Sequence, residues 1–175
     1  RKILLNSWEG VYFDINQQGM DQMMADIASM GGELFVMDDG WFGDKYPRKN
    51  DSSSLGDWVV DKNKLPNGIE GLLSDAKKHG VKFGIWIEPE MANTTSELYE
   101  KHPDWVLKAS ERDVVLGRGG TQVVLDLANP AVQDFVFGVV DNLMTSYPEI
   151  DYIKWDANMS VQNHGSQYLT KDNQS

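Results

Sequence analysis

Residues 82–90 read KFGIWIEPE, a short apolar run that ends in two glutamates on either side of a proline. Residues 34–41, LFVMDDGW, repeat this layout, with two aspartates and a tryptophan at the end of the run. Apolar runs of this length are typical of buried strands. Three more runs are each followed by polar or charged residues, and they lie at 3–5, at 123–125 and from 152 onward.

Amphipathic helical patterns separate these runs. Apolar residues recur at i, i+3, i+4 and i+7 in the stretches 20–27, 69–76 and 132–143, and a shorter helix is expected over 95–101. Asn129-Pro130 is typical of a helix start, and Gly80 of a helix end. Alternating strands and helices predict parallel strands joined by right-handed crossovers.

The position of the polar residues favours one of two parallel architectures. Carboxylates or tryptophans follow five successive runs, and barrel active sites are built from the ends of many strands in this way. A doubly wound sheet would concentrate its site at one switch point, often with a glycine-rich phosphate loop. Residues 117–120, GRGG, precede a strand instead of following one. The sequence therefore predicts an α/β fold of the (β/α)8 TIM-barrel type.

The length of the chain conflicts with a closed barrel. A (β/α)8 barrel takes about 250 residues, whereas this chain has 175 residues and about five predicted strands. We therefore expect a partial barrel with the first five strands, in which residues 1–175 are the N-terminal portion of a catalytic domain in a larger chain.

Composition excludes several classes of partner. The chain has 16 Lys and Arg against 27 Asp and Glu, which gives a net charge of −11. Nucleic-acid binders carry a basic footprint, and an acidic protein is repelled by an anionic membrane surface. No apolar run approaches the length of a membrane helix, and cysteine is absent. We expect neither nucleic acid nor a membrane as a partner.

Lys154 and Asp156 lie two residues apart on the last predicted strand and therefore point to the same face. Asn158 shares that face if the strand continues. A nearby lysine would lower the pKa of Asp156, which suits a nucleophile and does not suit a general acid. A structural ion pair at a strand end explains the spacing equally well.

Asp38 and Asp39 form a second candidate site at the end of another predicted strand. Paired carboxylates accept hydrogen bonds from vicinal sugar hydroxyls or bind a hard cation. Trp41 and Trp58 would offer flat faces to a sugar ring, unless they lie in the core and the aspartates only cap a turn.

Three reaction or binding classes remain open on the residues alone. One is glycoside hydrolysis by two carboxylates. Another is metal-assisted proton abstraction, with Asp38, Glu88 and Asp126 holding Mg²⁺ and Lys154 as the base. The third is sugar binding without catalysis. The six tryptophans favour a sugar ligand.

Taken together, the motifs resemble the family 36 glycoside hydrolases, the bacterial α-galactosidases or melibiases. The similarity runs from about residue 4 to about residue 160. Seven motifs occur in the family's order: NSWE at 6–9, DDGWFG at 38–43, SLGDW at 54–58, KFGIW at 82–86 with EPEM at 88–91, HPDW at 102–105, VLDL at 124–127, and KWD at 154–156 with Asn158.

This resemblance implies a retaining α-galactosidase with a (β/α)8 catalytic domain, acting on α-galactosides such as melibiose or raffinose. It makes Asp156 the nucleophile. Asp38 and Asp39 would bind the galactose hydroxyls at C4 and C6. The other expected sugar-site residues are Trp8 at the mouth, Trp41, Trp58, Arg118, Lys154 and Asn158.

The resemblance also implies features outside this chain. No metal or cofactor is expected, and the acid/base residue would lie on a later strand, beyond Ser175. Members of the family are often tetrameric and carry a β-sandwich and a C-terminal sheet domain. We expect the chain alone not to hydrolyse raffinose. α-N-acetylgalactosaminidase and galactosyl transfer remain open, as does a bacterial cytoplasmic, periplasmic or secreted location.

Two positions depart from the family pattern. The family has one residue between its Gly-Arg pair and the following glutamine, whereas three residues, GGT, separate Arg118 from Gln122. Met159 stands where the family often has an arginine. These departures affect the reach of Arg118 and the contacts behind the nucleophile.

Overall fold

The computed structural model describes residues 1–162 and 165–174. Four strands form one parallel sheet in the order β1-β2-β3-β6, and two short strands form a separate antiparallel sheet. The strands are β1 (Leu4–Asn6), β2 (Leu34–Met37), β3 (Lys82–Ile87), β4 (Met91–Asn93), β5 (Gln122–Val124) and β6 (Ile150–Trp155). The helices are α1 (Trp8–Val11), α2 (Gln17–Ser29), α3 (Gly68–His79), α4 (Glu97–Lys101) and α5 (Pro130–Ser146), with 3-10 turns at Pro103–Trp105 and Lys171–Asn173.

The parallel sheet confirms the predicted α/β class. Its strands lie side by side in chain order, and α2, α3 and α5 each connect one strand to the next. This is the arrangement of one part of a (β/α)8 barrel. Among the described residues, β1 and β6 lie at the two ends of the sheet, so the sheet is open.

The number of barrel strands was predicted wrongly. The run at 123–125 does not join the parallel sheet, because β5 pairs antiparallel with β4 just after the end of β3. A parallel crossover usually needs a dozen or more residues, most often a helix. The connection between β3 and β5 is long enough, but its helical segments are the five-residue helix α4 and the three-residue turn Pro103–Trp105, which are too short to span a strand. The chain therefore contributes four parallel strands instead of five.

The helical stripes and helix ends follow the sequence pattern. In α2 the buried residues are Met20, Met24 and Ile27, and they pack in the main core with strands β2 and β3. Helix α5 begins at Pro130, and the side chain of Asn129 accepts the amide hydrogen of Ala131 at 3.0 Å. Gly80 ends α3 in the left-handed conformation that glycine adopts at low cost. No helix among the described residues is both long and apolar enough to cross a membrane.

Candidate functional site

The carboxyl ends of the parallel strands bring the predicted acidic residues to one side of the sheet. Asp38 follows β2, Glu88 follows β3 and Asp156 follows β6. Parallel strands place their carboxyl ends at the same edge, where α/β proteins bind ligands. The site is therefore built from the residues that follow three adjacent strands.

Asp156 is held at this edge by hydrogen bonds from the end of β3 and from its own loop. Its backbone N–H donates to the carbonyl of Ile87 at 2.9 Å, and the indole Nε1 of Trp86 donates to its Oδ2 at 3.0 Å. Burial alone would raise the pKa of Asp156, but hydrogen bonds from the Asn158 side chain, Trp86 and the Ala157 backbone hold it below the ordinary aspartate value. The side chain is partly exposed, so an ionised carboxylate faces the site.

Lys154 has a different partner from the one that the spacing predicted. Its Nζ lies 2.7 Å from Oδ2 of Asp38 and makes the ion pair with that residue. Lys154 also lowers the pKa of Asp156, but the hydrogen bonds to that carboxylate have larger effects. The expectation that Lys154 is the main partner of Asp156 is therefore wrong, because the carboxylate after β2 comes closer to the ammonium group.

Asp38 is a buried carboxylate with several donors. Besides Lys154, the side-chain amide of Asn6 donates to its Oδ2 at 2.6 Å, and the backbone N–H of Asp39 donates to its Oδ1 at 2.9 Å. Its own backbone N–H donates to the hydroxyl oxygen of Ser7 at 2.9 Å. These contacts fix the orientation of a carboxylate that is only 3% exposed.

Asp39 pairs with Arg48, whereas Lys154 pairs with Asp38. Nε and Nη2 of Arg48 donate to the two carboxylate oxygens at 2.9 and 2.7 Å, which is the strong bidentate geometry. Arg48 is 1% exposed and also donates to the carbonyl of Ser53 and to Oδ1 of Asn93. Each oxygen of Asp39 therefore already accepts one buried, charged hydrogen bond.

Trp41 and Trp58 lie in an aromatic cluster behind the site. Trp41 is 0% exposed, and its Nε1 donates to the carbonyl of Trp86 at 2.9 Å. The expectation that Trp41 offers a face to a sugar is wrong, because its ring is enclosed by Phe42 and Trp58. Trp58 is partly buried, and its ring contacts the ring of Trp86 at a centroid distance of 6.1 Å.

Trp8 is connected to Asp38 by hydrogen bonds through the side chain of Asn6. Its backbone N–H donates to Oδ1 of Asn6 at 2.8 Å, and the amide of Asn6 in turn donates to Asp38. The indole ring is partly exposed and packs edge-on against Tyr12 and Phe13. Its position at the mouth of a sugar site stays a prediction.

Arg118 lies on a turn in which three successive residues have positive φ, with Arg118 itself at 45°. Its Nη1 donates to Oδ1 of Asp51 at 3.0 Å, and its charge is close enough to lower the pKa of Glu88. The two departures from the family pattern meet at this turn. A Cβ built on Gly117 would lie 2.6 Å from Sδ of Met159, so Met159 packs directly against the glycine that precedes Arg118.

Sequence reasoning left four residues out of the candidate site, namely Asn6, Arg48, Lys64 and Trp86. Lys64 donates to the carbonyls of Phe13, Gly40 and Arg48 at 2.7 to 2.8 Å, which ties the loop after β2 to its surroundings. A usable signal existed for Trp86, because it lies two residues before Glu88 at the end of β3. The sequence held no comparable signal for Arg48 or Lys64, which come from a long loop.

The carboxylates proposed for a magnesium site have separate partners. Asp38 binds Asn6 and Lys154, Glu88 accepts the backbone N–H of Asn158, and Asp126 accepts the hydroxyl of Ser166. In the part of the chain that the structure describes, no group of three or more His, Cys, Asp or Glu side chains could hold a metal ion. The arrangement does not fit the magnesium mechanism.

Comparisons with known proteins agree with this geometry. The family model described as Melibiase matches residues 1–175. The chain is 46% identical over 168 residues to "Probable alpha-galactosidase C" of Aspergillus flavus, which covers 92% of this chain and 22% of that protein. It is 44% identical over 174 residues to "Alpha-galactosidase AgaA" of Geobacillus stearothermophilus, which covers 99% of this chain and 23% of that protein.

Solved structures show the same similarity. A variant of the GH36 alpha-galactosidase AgaA from Geobacillus stearothermophilus, in complex with 1-deoxygalactonojirimycin, superposes with a TM-score of 0.91 at 43% identity. It covers 99% of this chain and 23% of that chain. The alpha-galactosidase from Lactobacillus brevis also gives a TM-score of 0.91, at 42% identity and with the same coverage. The chain thus spans slightly less than a quarter of the length of these relatives.

Proposed function

The chain belongs to the melibiase family, and from this premise we propose that the protein containing it hydrolyses terminal α-linked galactosides with retention of configuration. Raffinose and melibiose are the proposed substrates. Solved structures of related AgaA variants hold raffinose and stachyose. The observation that carries the proposal is an ionised, partly exposed Asp156 that faces the same strand edge as Asp38 and Lys154.

Asp156 is the proposed nucleophile. One of its carboxylate oxygens attacks C1 of the galactose and forms a galactosyl-Asp156 ester, while the bond from C1 to the leaving-group oxygen breaks. A proton from a separate acid neutralises that oxygen, and the same group later takes a proton from the water that cleaves the ester. Hydrogen bonds from Trp86 and Asn158 favour the ionised form that this attack needs.

Asp38 and Lys154 are the proposed hydroxyl partners of the sugar. Lys154 has three donors and uses one on Asp38, so the others can reach a hydroxyl group. Asp39 keeps one lone-pair site on each oxygen beside its contact with Arg48. Trp8, Arg118 and Asn158 complete the proposed site at its rim, and Trp58 supports it from behind through Trp86.

A trapping experiment tests the nucleophile. The complete protein that contains residues 1–175 is incubated with a 2-fluoro α-galactosyl donor that has a good leaving group, and peptide mass spectrometry locates the added sugar. We expect one galactosyl group on Asp156. A sugar on another carboxylate would overturn the assignment, and galactose binding without any adduct would favour a binding protein.

Two further expectations concern substrate choice and the isolated chain. Parallel assays with p-nitrophenyl α-galactoside and the corresponding N-acetylgalactosaminide separate the two hydrolase activities, and we expect the galactoside to be preferred. Residues 1–175 alone should fail to hydrolyse raffinose, because the acid/base residue is expected on a later strand, beyond Ser175. Assembly into a homo-oligomer remains a prediction for light scattering.

A further inference from the structure

Glu88 is the buried carboxylate of the site for which the proposed reaction has no use. It follows β3 directly and is only 2% exposed. Among the described residues it forms no ion pair. Its Oε1 accepts the backbone N–H of Asn158 at 2.6 Å, which is a short and strong contact. A buried, unpaired carboxylate is costly, so its presence beside the nucleophile needs an explanation.

Asn158 connects Glu88 with Asp156. Its backbone N–H is bonded to Glu88, and its side-chain amide lies close enough to both carboxylates to lower the pKa of each. An asparagine amide has two N–H donors, enough for one bond to each carboxylate. Glu88 thus holds the backbone and the side chain of the residue whose amide stabilises the ionised Asp156.

The contact between Glu88 and Asn158 lies beyond the last hydrogen bond that holds the chain to the sheet. Strand β6 ends at Trp155, and its last support from β3 is the N–H of Asp156 bonded to the carbonyl of Ile87 at 2.9 Å. Beyond that point, Asn158 is exposed and lies outside any strand. Only an added contact can keep its amide on Asp156, and Glu88 supplies that contact.

The electrostatic environment shifts the pKa values of Glu88 and Asp156 in opposite directions. Burial is the main cause that raises the pKa of Glu88, and the negative charge of Asp156 raises it further. Hydrogen bonds from Asn158 and the charge of Arg118 act in the opposite direction. On the side of β6, Lys154 faces Asp156. The pKa of Glu88 is therefore raised and that of Asp156 lowered, although the two carboxyl groups lie next to the same asparagine.

We propose that Glu88 is a positioning residue, which acts through Asn158 to orient the Asp156 carboxylate for attack. This inference rests on the proposed function, since it assigns a role in the same reaction. It makes Asn158 a bridge between two carboxylates, in addition to any contact that it makes with the sugar.

The test compares three variants of the complete protein that contains this chain. E88M removes the acceptor at nearly constant volume, whereas E88Q keeps an oxygen that can accept the N–H of Asn158. The matched control is E90M. Glu90 lies two residues further along and accepts the indole N–H of Trp155 at 2.8 Å, not the N–H of Asn158. Each variant is assayed for kcat and KM on p-nitrophenyl α-galactoside across pH.

We expect E88M to lower kcat by about 100-fold, the loss that a misplaced reacting group can cause, with little change in KM. Compared with E88Q, which also lacks the charge of Glu88, the acidic pH limb of E88M should lie at higher pH, because Asp156 loses a stabilising donor. E88Q should recover most of kcat, and E90M should keep the acidic limb of the wild type. Equal losses in E88M and E88Q, or a change in KM alone, would overturn the positioning role.

A binding measurement separates this proposal from the proposed function. 1-Deoxygalactonojirimycin carries a cationic nitrogen, so its calorimetric Kd reports on the charge and orientation of Asp156 without turnover. We expect wild type and E88Q to bind with similar Kd and E88M to bind more weakly. If wild type and E88M bind the inhibitor with equal Kd, the positioning role is overturned but the proposed function is not. Wild type that neither binds nor takes the trapped sugar would overturn both.

Discussion

The acidic residues after β2 and after β6 face the same strand edge, but they are stabilised in different ways. Asp39 is buried and neutralised by the bidentate contact with Arg48, and Asp38 is buried against Lys154. Asp156 is partly exposed and depends mainly on hydrogen bonds from Asn158 and Trp86. A buried ion pair fixes geometry, whereas an open carboxylate held by neutral donors keeps its charge for an incoming group. The difference agrees with the proposal that Asp38 and Asp39 bind the sugar and that Asp156 is the nucleophile.

The strongest test of this contrast removes the open carboxylate. Asp156→Asn in the complete protein should lower kcat for raffinose by at least about 10³-fold, since loss of a nucleophile removes the covalent path. Because the side chain is partly exposed, we expect little change in urea unfolding. Asp151→Asn is the matched control, since Asp151 lies on strand β6, which leads to Asp156, and pairs with Lys82. An active Asp156→Asn protein would contradict the assignment.

Breaking the buried ion pair of Arg48 and Asp39 should lower the stability of the fold. Arg48→Met leaves the carboxylate of Asp39 buried without its partner, and we expect a loss of about 3–5 kcal/mol in the free energy of unfolding by urea titration. Lys45→Met, which breaks an exposed pair with Glu100, should cost less than about 1 kcal/mol. Adding Asp39→Leu to Arg48→Met should recover part of the loss. An equal loss in the two single variants would contradict the contrast.

Lys154 distinguishes the two regions, because it bonds to one carboxylate and only acts at a distance on the other. Lys154→Met removes a charged hydrogen bond from Asp38, and we expect kcat/KM to fall by about tenfold, or about 1.4 kcal/mol. The acidic limb of the pH profile should stay in place, because hydrogen bonds from Asn158 and Trp86 hold the pKa of Asp156 low. A limb that moves up by a full unit would show that Lys154 controls the nucleophile.

The smallest expected effect concerns the pH dependence of stability. Burial raises the pKa of Glu88 in the folded protein. The folded state therefore binds a proton more readily than the unfolded state, and stability falls as pH rises through the folded pKa. Glu88→Gln cannot ionise, so its free energy of unfolding relative to wild type should increase between pH 4 and pH 7. Urea titrations at both pH values check the sign, and Glu90→Gln serves as the control.

Local patterns were enough to predict helices α2 to α5 and most strands, but not the short helix α1. The stripe of α2 and the Asn129-Pro130 start of α5 follow from side-chain spacing and capping, which act over a few residues. The run at 123–125 was assigned to the wrong sheet, because its strand propensity says nothing about its pairing partner. Its antiparallel neighbour β4 was not predicted, because the short segment after Glu90 has no alternation of apolar and polar residues.

For the candidate site, the sequence placed Asp38, Lys154 and Asp156 at strand ends but paired them incorrectly. Residues at i and i+2 share a face, which made Asp156 the natural partner of Lys154. In the folded chain, the carboxylate of the neighbouring strand β2 is the one that accepts its hydrogen bond. Arg48 was missed for a related reason, because a loop arginine gains its role only when the loop brings it 2.7 Å from Asp39.

The sequence by itself determined the parallel α/β class, the strand ends that carry acidic residues, and the family resemblance. These properties depend on local periodicity and on motifs that a linear chain displays. The tertiary structure decided which carboxylate pairs with which cation, which tryptophans are buried, and which donors hold Asp156. Hydrogen bonds and ion pairs act over about 3 Å, and residues far apart in sequence reach that distance only when the strands are packed side by side.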